Sequence, residues 1–289
     1  MSNFFARAAR SWRLIKASTA VLNADGELLV LPLLSGAIAL VLGGGMVAQA
    51  MSDGTFAALK AGEAGAIPDG FYLWLFAFYL VQYAVVTFFN TALVGAAIQR
   101  LDGEDPSVMS ALGIAVRRLP QIIGYAIVSA TVGVLLRMIA ERLGFIGRLI
   151  AGGLNLAWVV TTFLVVPVIA VEGRDPISAI ERSVELLGKS WGENVIGNVG
   201  ISFLLGIAST AILLVGMGGY FLIQNGDDIA GIPIVAASFM AFVALLAFGA
   251  ALQAVYAAAV YYYAVMGEPP EGFDRELIRG AFTAKPEAA

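Results

Sequence analysis

The pattern of apolar and polar residues divides the chain into long apolar runs separated by short polar stretches. Each of six runs has about 20 residues or more, the length at which an α-helix crosses the hydrocarbon core of a bilayer. The runs comprise residues 28–50, 71–99, 120–140, 149–171, 194–222 and 232–266. The pattern therefore predicts an all-α integral membrane protein with six transmembrane helices.

The stretch between the fourth and fifth runs, residues 171–191, has a different period. Its apolar residues recur at every third or fourth position and share one helical face: Ile177, Ile180, Val184, Leu187 and Trp191. Its charged residues share the other face: Glu181, Arg182, Glu185 and Lys189. Asp175 and Pro176 form a typical helix start, because Asp caps free N–H groups and Pro needs none. These features predict an amphipathic helix at the membrane surface.

Two other stretches resemble this one. Met109, Leu112, Val116 and Leu119 have the same spacing, after the sequence DGEDP at 102–106, which resembles EGRDP at 172–176. Phe5, Ala8, Trp12 and Ile15 also have this spacing, but without an Asp-Pro start. We expect three parallel repeats of an amphipathic helix followed by two spans, at about 3–100, 102–171 and 172–266. They would form one membrane domain, 1–266, followed by a polar tail, 267–289. Chance similarity is the alternative, since the motifs are individually common.

The N-terminal stretch combines basic and aromatic residues. This pattern is typical of a helix on anionic lipid, although a basic flank that only sets orientation is the alternative. The residues expected to contact the lipid interface in the first and third amphipathic stretches are Arg7, Arg10, Trp12, Arg13, Lys16, Arg182, Lys189 and Trp191.

The distribution of basic residues predicts the orientation. The N-terminal stretch, the connections between spans two and three and between spans four and five, and the tail contain 13 of the 17 Lys and Arg residues. The other three loops contain the remaining four. Since basic loops stay in the cytoplasm, both termini and all three amphipathic stretches are expected on the cytoplasmic side.

Composition excludes several function classes. The chain is 60% hydrophobic and only 13% charged, about half the charge of a soluble domain. Its net charge of −4 argues against a nucleic-acid partner. It contains no Cys and no His, which excludes disulfides, thiolate nucleophiles, His-dependent triads and HExxH zinc sites. We therefore expect no catalytic residues, no cofactor and no metal.

Polar residues inside the spans are the remaining candidates for a binding site. A loose stripe on the second span and three residues elsewhere form the set Tyr79, Gln82, Tyr83, Thr87, Asn90, Asn155, Asn198 and Gln253. They could form interhelical hydrogen bonds, worth roughly 0.6 kcal/mol each, or converge on a polar cavity. The acidic pairs Asp102/Asp105 and Glu172/Asp175 are interpreted as helix caps. Small residues every four positions in span five (Ser202, Gly206, Thr210) and span six (Ala250, Ala254, Ala258) predict close helix contacts within one chain or between copies.

Short motifs carry a family resemblance. P-x-x-x-x-E-G at 167–173, A-x-x-R-S at 179–183 and Trp191 resemble a pattern in uncharacterised bacterial six-span proteins and in the membrane domain of some glycerophosphodiester phosphodiesterases. SWRLIK at 11–16, with residues 29–35 after it, most closely resembles the DUF6159 family. The resemblance covers most of the chain and implies a six-helix protein of the bacterial inner membrane. It transfers no catalytic or binding residues.

These observations lead to two functional hypotheses. We favour a non-enzymatic role in membrane or envelope organisation, with membrane lipids as partners. The alternative is a channel or facilitator for a small neutral solute or a lipid, with the stripe on span two along its wall. A homo-oligomer is compatible with both.

Overall fold

The structure is a computed structural model that describes residues 18–19, 26–52, 70–188 and 194–268, the side chains of 194–203 excepted. Over these residues the secondary structure consists of helices joined by short turns and loops, without strands. A 3-10 turn, Gly26–Leu29, leads into the first helix. The α-helices are α1 Val30–Ser52, α2 Phe71–Leu101, α3 Val108–Arg117, α4 Leu119–Arg142, α5 Gly144–Thr161, α6 Val165–Glu172, α7 Pro176–Gly188, α8 Asn194–Gln224 and α9 Asp228–Met266.

Within the described part of the chain, six helical segments are long and apolar enough to cross a membrane. They are Gly26–Ser52, Phe71–Leu101, Leu119–Arg142, Gly144–Glu172, Leu204–Gln224 and Asp228–Met266. The predicted all-α class and the number of spans are thereby confirmed, and the segments indicate a multi-pass membrane protein. The sixth begins earlier than expected, because the predicted loop 223–231 is reduced to a tight turn at residues 225–227.

The fourth segment is interrupted, which the sequence analysis did not anticipate. Residues 162–164 form a turn between α5 and α6. Pro167 explains its position, because a proline lacks the N–H that would bond to the carbonyl four residues earlier, and its ring clashes with that carbonyl. The carbonyl concerned belongs to Phe163, within the turn. Apart from Val166, Val171 and Glu172, all residues of α6 are buried.

The chain divides into two compact units. Of the described residues, one unit contains 34–52, 70–95 and 109–187. Within it, α1 lies against α2 at Gly43, where a Cβ atom would approach the Gln82 amide nitrogen to 2.0 Å. The Gln82 amide donates a hydrogen bond to the Ala39 carbonyl, 3.1 Å away. The missing side chain of Gly43 therefore permits a direct polar contact between two apolar helices.

Of the described residues, the other unit contains 18–19, 26–33, 96–108, 188 and 194–268. Its main feature is the antiparallel hairpin of α8 and α9, in which Gly219 packs against Ile234 and Gly249 against Leu205. Of the predicted small-residue contacts, Ala254 and Ala258 of α9 are buried. In contrast, Gly206 of α8 has open space beside it. The prediction of a close contact at Gly206 is thus wrong within the described chain, because α8 turns a different glycine face to α9.

Candidate functional site

The start of α7 follows the sequence prediction. Asp175 accepts hydrogen bonds from the backbone N–H groups of Ile177 and Ser178, both at 3.2 Å, and Pro176 is the first helical residue. Hydrogen bonds from the side chain and backbone of Ser178 lower the pKa of Asp175 below its usual value. The capping prediction for Asp175 is confirmed, and its carboxylate is held in the charged form that a cap requires.

Two side chains at the start of α4 bond to the end of α6, the helix that precedes α7. Gly173 ends α6 with a left-handed φ of +63°. The Arg118 guanidinium donates to the carbonyls of Ala170 and Val171 at 3.3 and 3.0 Å. Gln121 donates to the Gly173 carbonyl at 3.3 Å. Carbonyls at a helix end lack partners in their own helix, and a guanidinium is the favoured charge there.

Ion pairs surround the same turn. Glu172 accepts hydrogen bonds from Arg174 and from Arg182, and Arg182 also donates to Glu185 at 2.7 Å. The hydrogen bond to Glu185, followed by those with Glu172, raises the pKa of Arg182. Glu172 is therefore an ion-pair partner, so its interpretation as a helix cap is wrong. Arg182, predicted to contact lipid, lies half-buried between two carboxylates.

Helix α7 has three sectors of different character. It buries Ala179, Ser183, Leu186 and Leu187. Next to this sector, Ile177 and Val184 are 55% and 40% exposed, although both are apolar. The charged residues, including Glu181 and Glu185, occupy the remaining sector. The predicted apolar face is thus divided: part of it packs on the protein and part stays open.

Ser183 joins α7 to the interruption of the fourth segment. Its hydroxyl donates to the Thr161 carbonyl at 2.7 Å and accepts from the Leu164 N–H at 3.1 Å. Both backbone groups flank the turn where the helical ladder fails, and Ser183 is fully buried. One hydroxyl therefore satisfies a donor and an acceptor that an apolar environment would otherwise leave unpaired.

Helix α3 has the same arrangement of buried and exposed positions. It buries Ala111 and Ala115 and leaves Met109 and Val116 77% and 59% exposed. Its start differs from the prediction: it begins at Val108, and Asp105 forms an ion pair with Arg100 at 2.6 Å instead of capping the helix. The capping prediction for Asp105 is wrong, because Pro106 lies two residues before the helix and so cannot occupy its first position.

The other residues predicted at the lipid interface cannot be placed. Arg7, Arg10, Trp12, Arg13, Lys16, Lys189 and Trp191 lie outside the described residues. Their lipid contact stays a prediction.

The polar stripe on α2 has several different surroundings. Gln82 bonds to α1, as described above, and Tyr79 packs against Gly133 of α4. The ring centroids of Tyr79 and Tyr83 are 6.2 Å apart. Thr87 is buried, and its carbonyl accepts a hydrogen bond from Thr91. The sequence allows either interhelical hydrogen bonds or a polar cavity for these residues. Gln82 forms an interhelical hydrogen bond.

The remaining members of that set lie on other helices. Asn90 is half-buried on α2, Asn155 is exposed on α5 and Gln253 is exposed on α9. Asn198 belongs to α8, in the part whose side chains are not described. Within its own unit, Asn155 shares no hydrogen bond with the stripe on α2.

Sequence analysis missed Arg118 and Gln121, which bond to the α6–α7 turn, and Ser183, which bonds to the turn between α5 and α6. Ser183 carried a signal, because it is a polar residue at a position that helical spacing groups with Ala179 and Leu186. Arg118 and Gln121 carried none, since residues so far from 170–173 in sequence are matched only by folding.

The geometry supports helix capping more directly than any reaction. The charged groups at the turn are paired with each other or with helix ends. Among the described residues, no group of three or more Asp or Glu side chains could hold a metal ion.

Comparison with known proteins gives a family but no activity. No curated protein matches the chain. The model of DUF6159, described as a family of unknown function, matches residues 70–272, which is more than half of the sequence. The match includes α2 to α9 with both amphipathic helices and the turn before α7. The chain therefore belongs to the DUF6159 family.

Proposed function

We propose that this protein is a non-enzymatic component of the bacterial inner membrane that organises the membrane or envelope through lipid contact. The observation that carries the proposal is the division of α3 and α7 into a buried sector and an exposed apolar sector. Helices too short and too polar to span a bilayer, but with open apolar side chains, are typical of the boundary between headgroups and acyl chains.

The exposed sectors favour lipid over water. Exposed apolar side chains lose roughly 0.8 kcal/mol for each CH₂ group that stays in water. Met109 and Val116 on α3, and Ile177 and Val184 on α7, recover this free energy if they insert below the headgroups. On α7, Glu181 and Glu185 in the adjacent sector then face water.

We propose three parallel repeats, as the sequence predicts, and three features support them. The second, fourth and sixth segments each end at a left-handed glycine, Gly103, Gly173 and Gly267, with φ of +83°, +63° and +75°. The first two glycines are followed by α3 and α7, which share the same burial pattern. The equivalent burial of Ala111 with Ala179, and of Ala115 with Ser183, is what a repeated unit requires.

The proposed orientation places both termini and the amphipathic helices in the cytoplasm. It rests on the distribution of Lys and Arg along the sequence. Arg7, Arg10 and Arg13 are then positioned to attract anionic headgroups.

The depth of α7 in the bilayer tests the proposal. Because the chain has no native Cys, Val184→Cys and Glu185→Cys each provide a single labelling site, about 100° apart around α7. In vesicles, an environment-sensitive fluorophore at 184 should be quenched by nitroxide on the lipid chains. The same fluorophore at 185 should be quenched by a water-soluble agent. Equal exposure of both labels to the water-soluble agent would refute the interfacial position of α7.

Lipid selectivity tests the role itself. Energy transfer from the protein's Trp residues to a fluorescent anionic lipid, in vesicles of mixed anionic and neutral lipid, reports enrichment around the protein. Replacing Arg7, Arg10 and Arg13 with Glu should reduce this enrichment. Replacing Arg142 and Arg148, expected on the opposite side, should affect it less. Unchanged enrichment in the triple variant, or specific flux of a solute into sealed vesicles, would favour the channel hypothesis instead.

A further inference from the structure

Helix α5 presents most of its circumference to its surroundings. Only Gly147 and Ala151 are buried on it. Large apolar side chains such as Phe145, Leu149 and Leu156 are more than half exposed. In a membrane such residues can face lipid, so exposure alone does not identify a partner. One polar residue on this surface does not fit a lipid environment.

That residue is Asn155. It is exposed, and no described residue forms a hydrogen bond with its side chain. Exposed threonines on the spans behave differently: Thr131, Thr161 and Thr210 each donate to the carbonyl four residues earlier in their own helix. The hydroxyls of these threonines are thus satisfied within one helix, whereas the amide of Asn155 is not.

Asn155 lies deep in its span, where an amide without a hydrogen bond is costly. The fourth segment, Gly144–Glu172, has 29 residues, and Asn155 lies three residues from its midpoint. At 1.5 Å per residue, the amide is about 4.5 Å from the centre of the segment. An Asn side chain is too short to extend to the headgroups, as Lys and Arg do. Polar groups at this depth need a partner, and in membranes they find it on another helix.

The neighbours of Asn155 make room for a helix. Arg148, Gly152, Asn155 and Val159 are spaced alternately by four and three residues, so they form one seam along α5. Gly152 has open space beside it, where a second backbone can approach closely. Arg148 lies towards the start of the segment, where its long side chain can extend to the headgroups. Gly153, the next residue, lies about 100° further round the helix, outside the seam.

We propose that α5 forms a homodimer interface in which Asn155 of one copy pairs with Asn155 of a second copy across a two-fold axis along the membrane normal. A primary amide carries both donors and an acceptor, so two copies of it satisfy each other. Copies of one chain insert in the same orientation and place the same residue at the same depth. A two-fold interface brings identical patches together, and therefore gives each Asn155 a partner that the described residues of its own chain do not provide.

Cross-linking tests the geometry. The variants Gly152→Cys and Gly153→Cys place one thiol each on the seam and about 100° away from it, at nearly the same depth in a chain without other thiols. Oxidation in membranes with copper-phenanthroline should convert Gly152→Cys, but not Gly153→Cys, into a disulfide-linked dimer. The absence of a dimer from Gly152→Cys would overturn the proposal. So would equal yields from both positions, which indicate random collision.

Substitution of Asn155 tests the polar pair. The monomer–dimer equilibrium can be measured by single-molecule photobleaching at increasing lipid dilution. Asn155→Leu should weaken dimerisation about threefold to thirtyfold, the range that interhelical hydrogen bonds contribute in membranes. Asn155→Gln should retain it. If Asn155→Leu dimerises as strongly as the parent protein, the amide pair is wrong. The Gly152→Cys cross-link of the parent chain, in which Asn155 is intact, remains decisive even if the Leu variant folds poorly.

Discussion

Helices α3 and α7 have the same pattern of buried and exposed positions but attach to different kinds of neighbour. The buried sector of α3 has Ala115 where α7 has Ser183. Helix α2, before α3, continues unbroken to Leu101, whereas the segment before α7 is interrupted at 162–164. The comparison indicates that one added hydroxyl lets an amphipathic helix dock on an interrupted span. The helix itself does not otherwise need to change.

Removal of the Ser183 hydroxyl should have the largest effect on stability. Ser183→Ala makes α7 resemble α3, but it leaves the Leu164 N–H and the Thr161 carbonyl without their partner. Since each buried unsatisfied group costs about 1–3 kcal/mol, we expect a loss of about 2–4 kcal/mol in the free energy of unfolding. Steric trapping in bicelles can measure this loss.

The matched change on α3 is Ala115→Ser. Its hydroxyl can fold back onto the carbonyl of Ala111, so a cost near 1 kcal/mol or less is expected. If Ser183→Ala proves no more destabilising than this control, Ser183 does not hold the interruption together.

Substitutions of Gly173 and Gly103 should show a smaller difference in stability. Gly173→Ala and Gly103→Ala both force a left-handed conformation on alanine, at about 1–2 kcal/mol. A Cβ atom at 173 would also come within 2.1 Å of the Arg118 guanidinium, whereas nothing lies within 4 Å at 103. Gly173→Ala should therefore cost about 1–2 kcal/mol more, the worth of charge-assisted hydrogen bonds that are partly screened by solvent.

A double-mutant cycle isolates the cause of this difference. In an Arg118→Ala background, Gly173→Ala should cost about as much as Gly103→Ala. A difference that persists without Arg118 would have to be assigned to the α6 backbone.

The contrast between Asp175 and Asp105 should give the smallest difference in stability. Asp175→Ala should destabilise α7, because Asp175 caps it, whereas Asp105→Ala should leave α3 nearly unchanged. The pKa of Asp175 is lowered in the fold, so its contribution is present at neutral pH and is lost as the pH falls through that lowered value. Hydrogen exchange of the first turn of α7, followed from pH 6 towards pH 3, should show this loss in the parent protein. Equal protection at both pH values would contradict it.

These contrasts also separate what a sequence can predict from what it cannot. Apolar runs predict six spans because burial in lipid depends on the composition of a segment. The start of α7 was predictable because Asp175 and Pro176 act on adjacent N–H groups. The stretch DGEDP at 102–106 resembles EGRDP at 172–176, yet Asp105 pairs with Arg100 and does not cap a helix. The partner of a side chain depends on which groups the folded chain brings near it.

The side-chain contacts around α6 were harder to predict for the same reason. Arg118, Gln121 and Ser183 act on backbone groups of α6 and its flanks, which no local pattern connects to them. Pro167 was visible in the sequence, but a proline can kink, end or interrupt a helix. The Ser183 hydroxyl, buried beside the turn, is what distinguishes interruption from a simple kink.

The way α6 is held has a consequence for biosynthesis. Its last carbonyls bond to Arg118, which the ribosome makes earlier, but the groups at its start bond to Ser183, which is made later. When the start of α6 leaves the ribosome, Ser183 follows 19 residues behind it and is still inside the exit tunnel. The segment must therefore wait in the insertion machinery, or in lipid with an open defect, until α7 emerges. Slow codons after 183, translated while Ser183 is still in the tunnel, would prolong that wait and should increase degradation of the nascent protein.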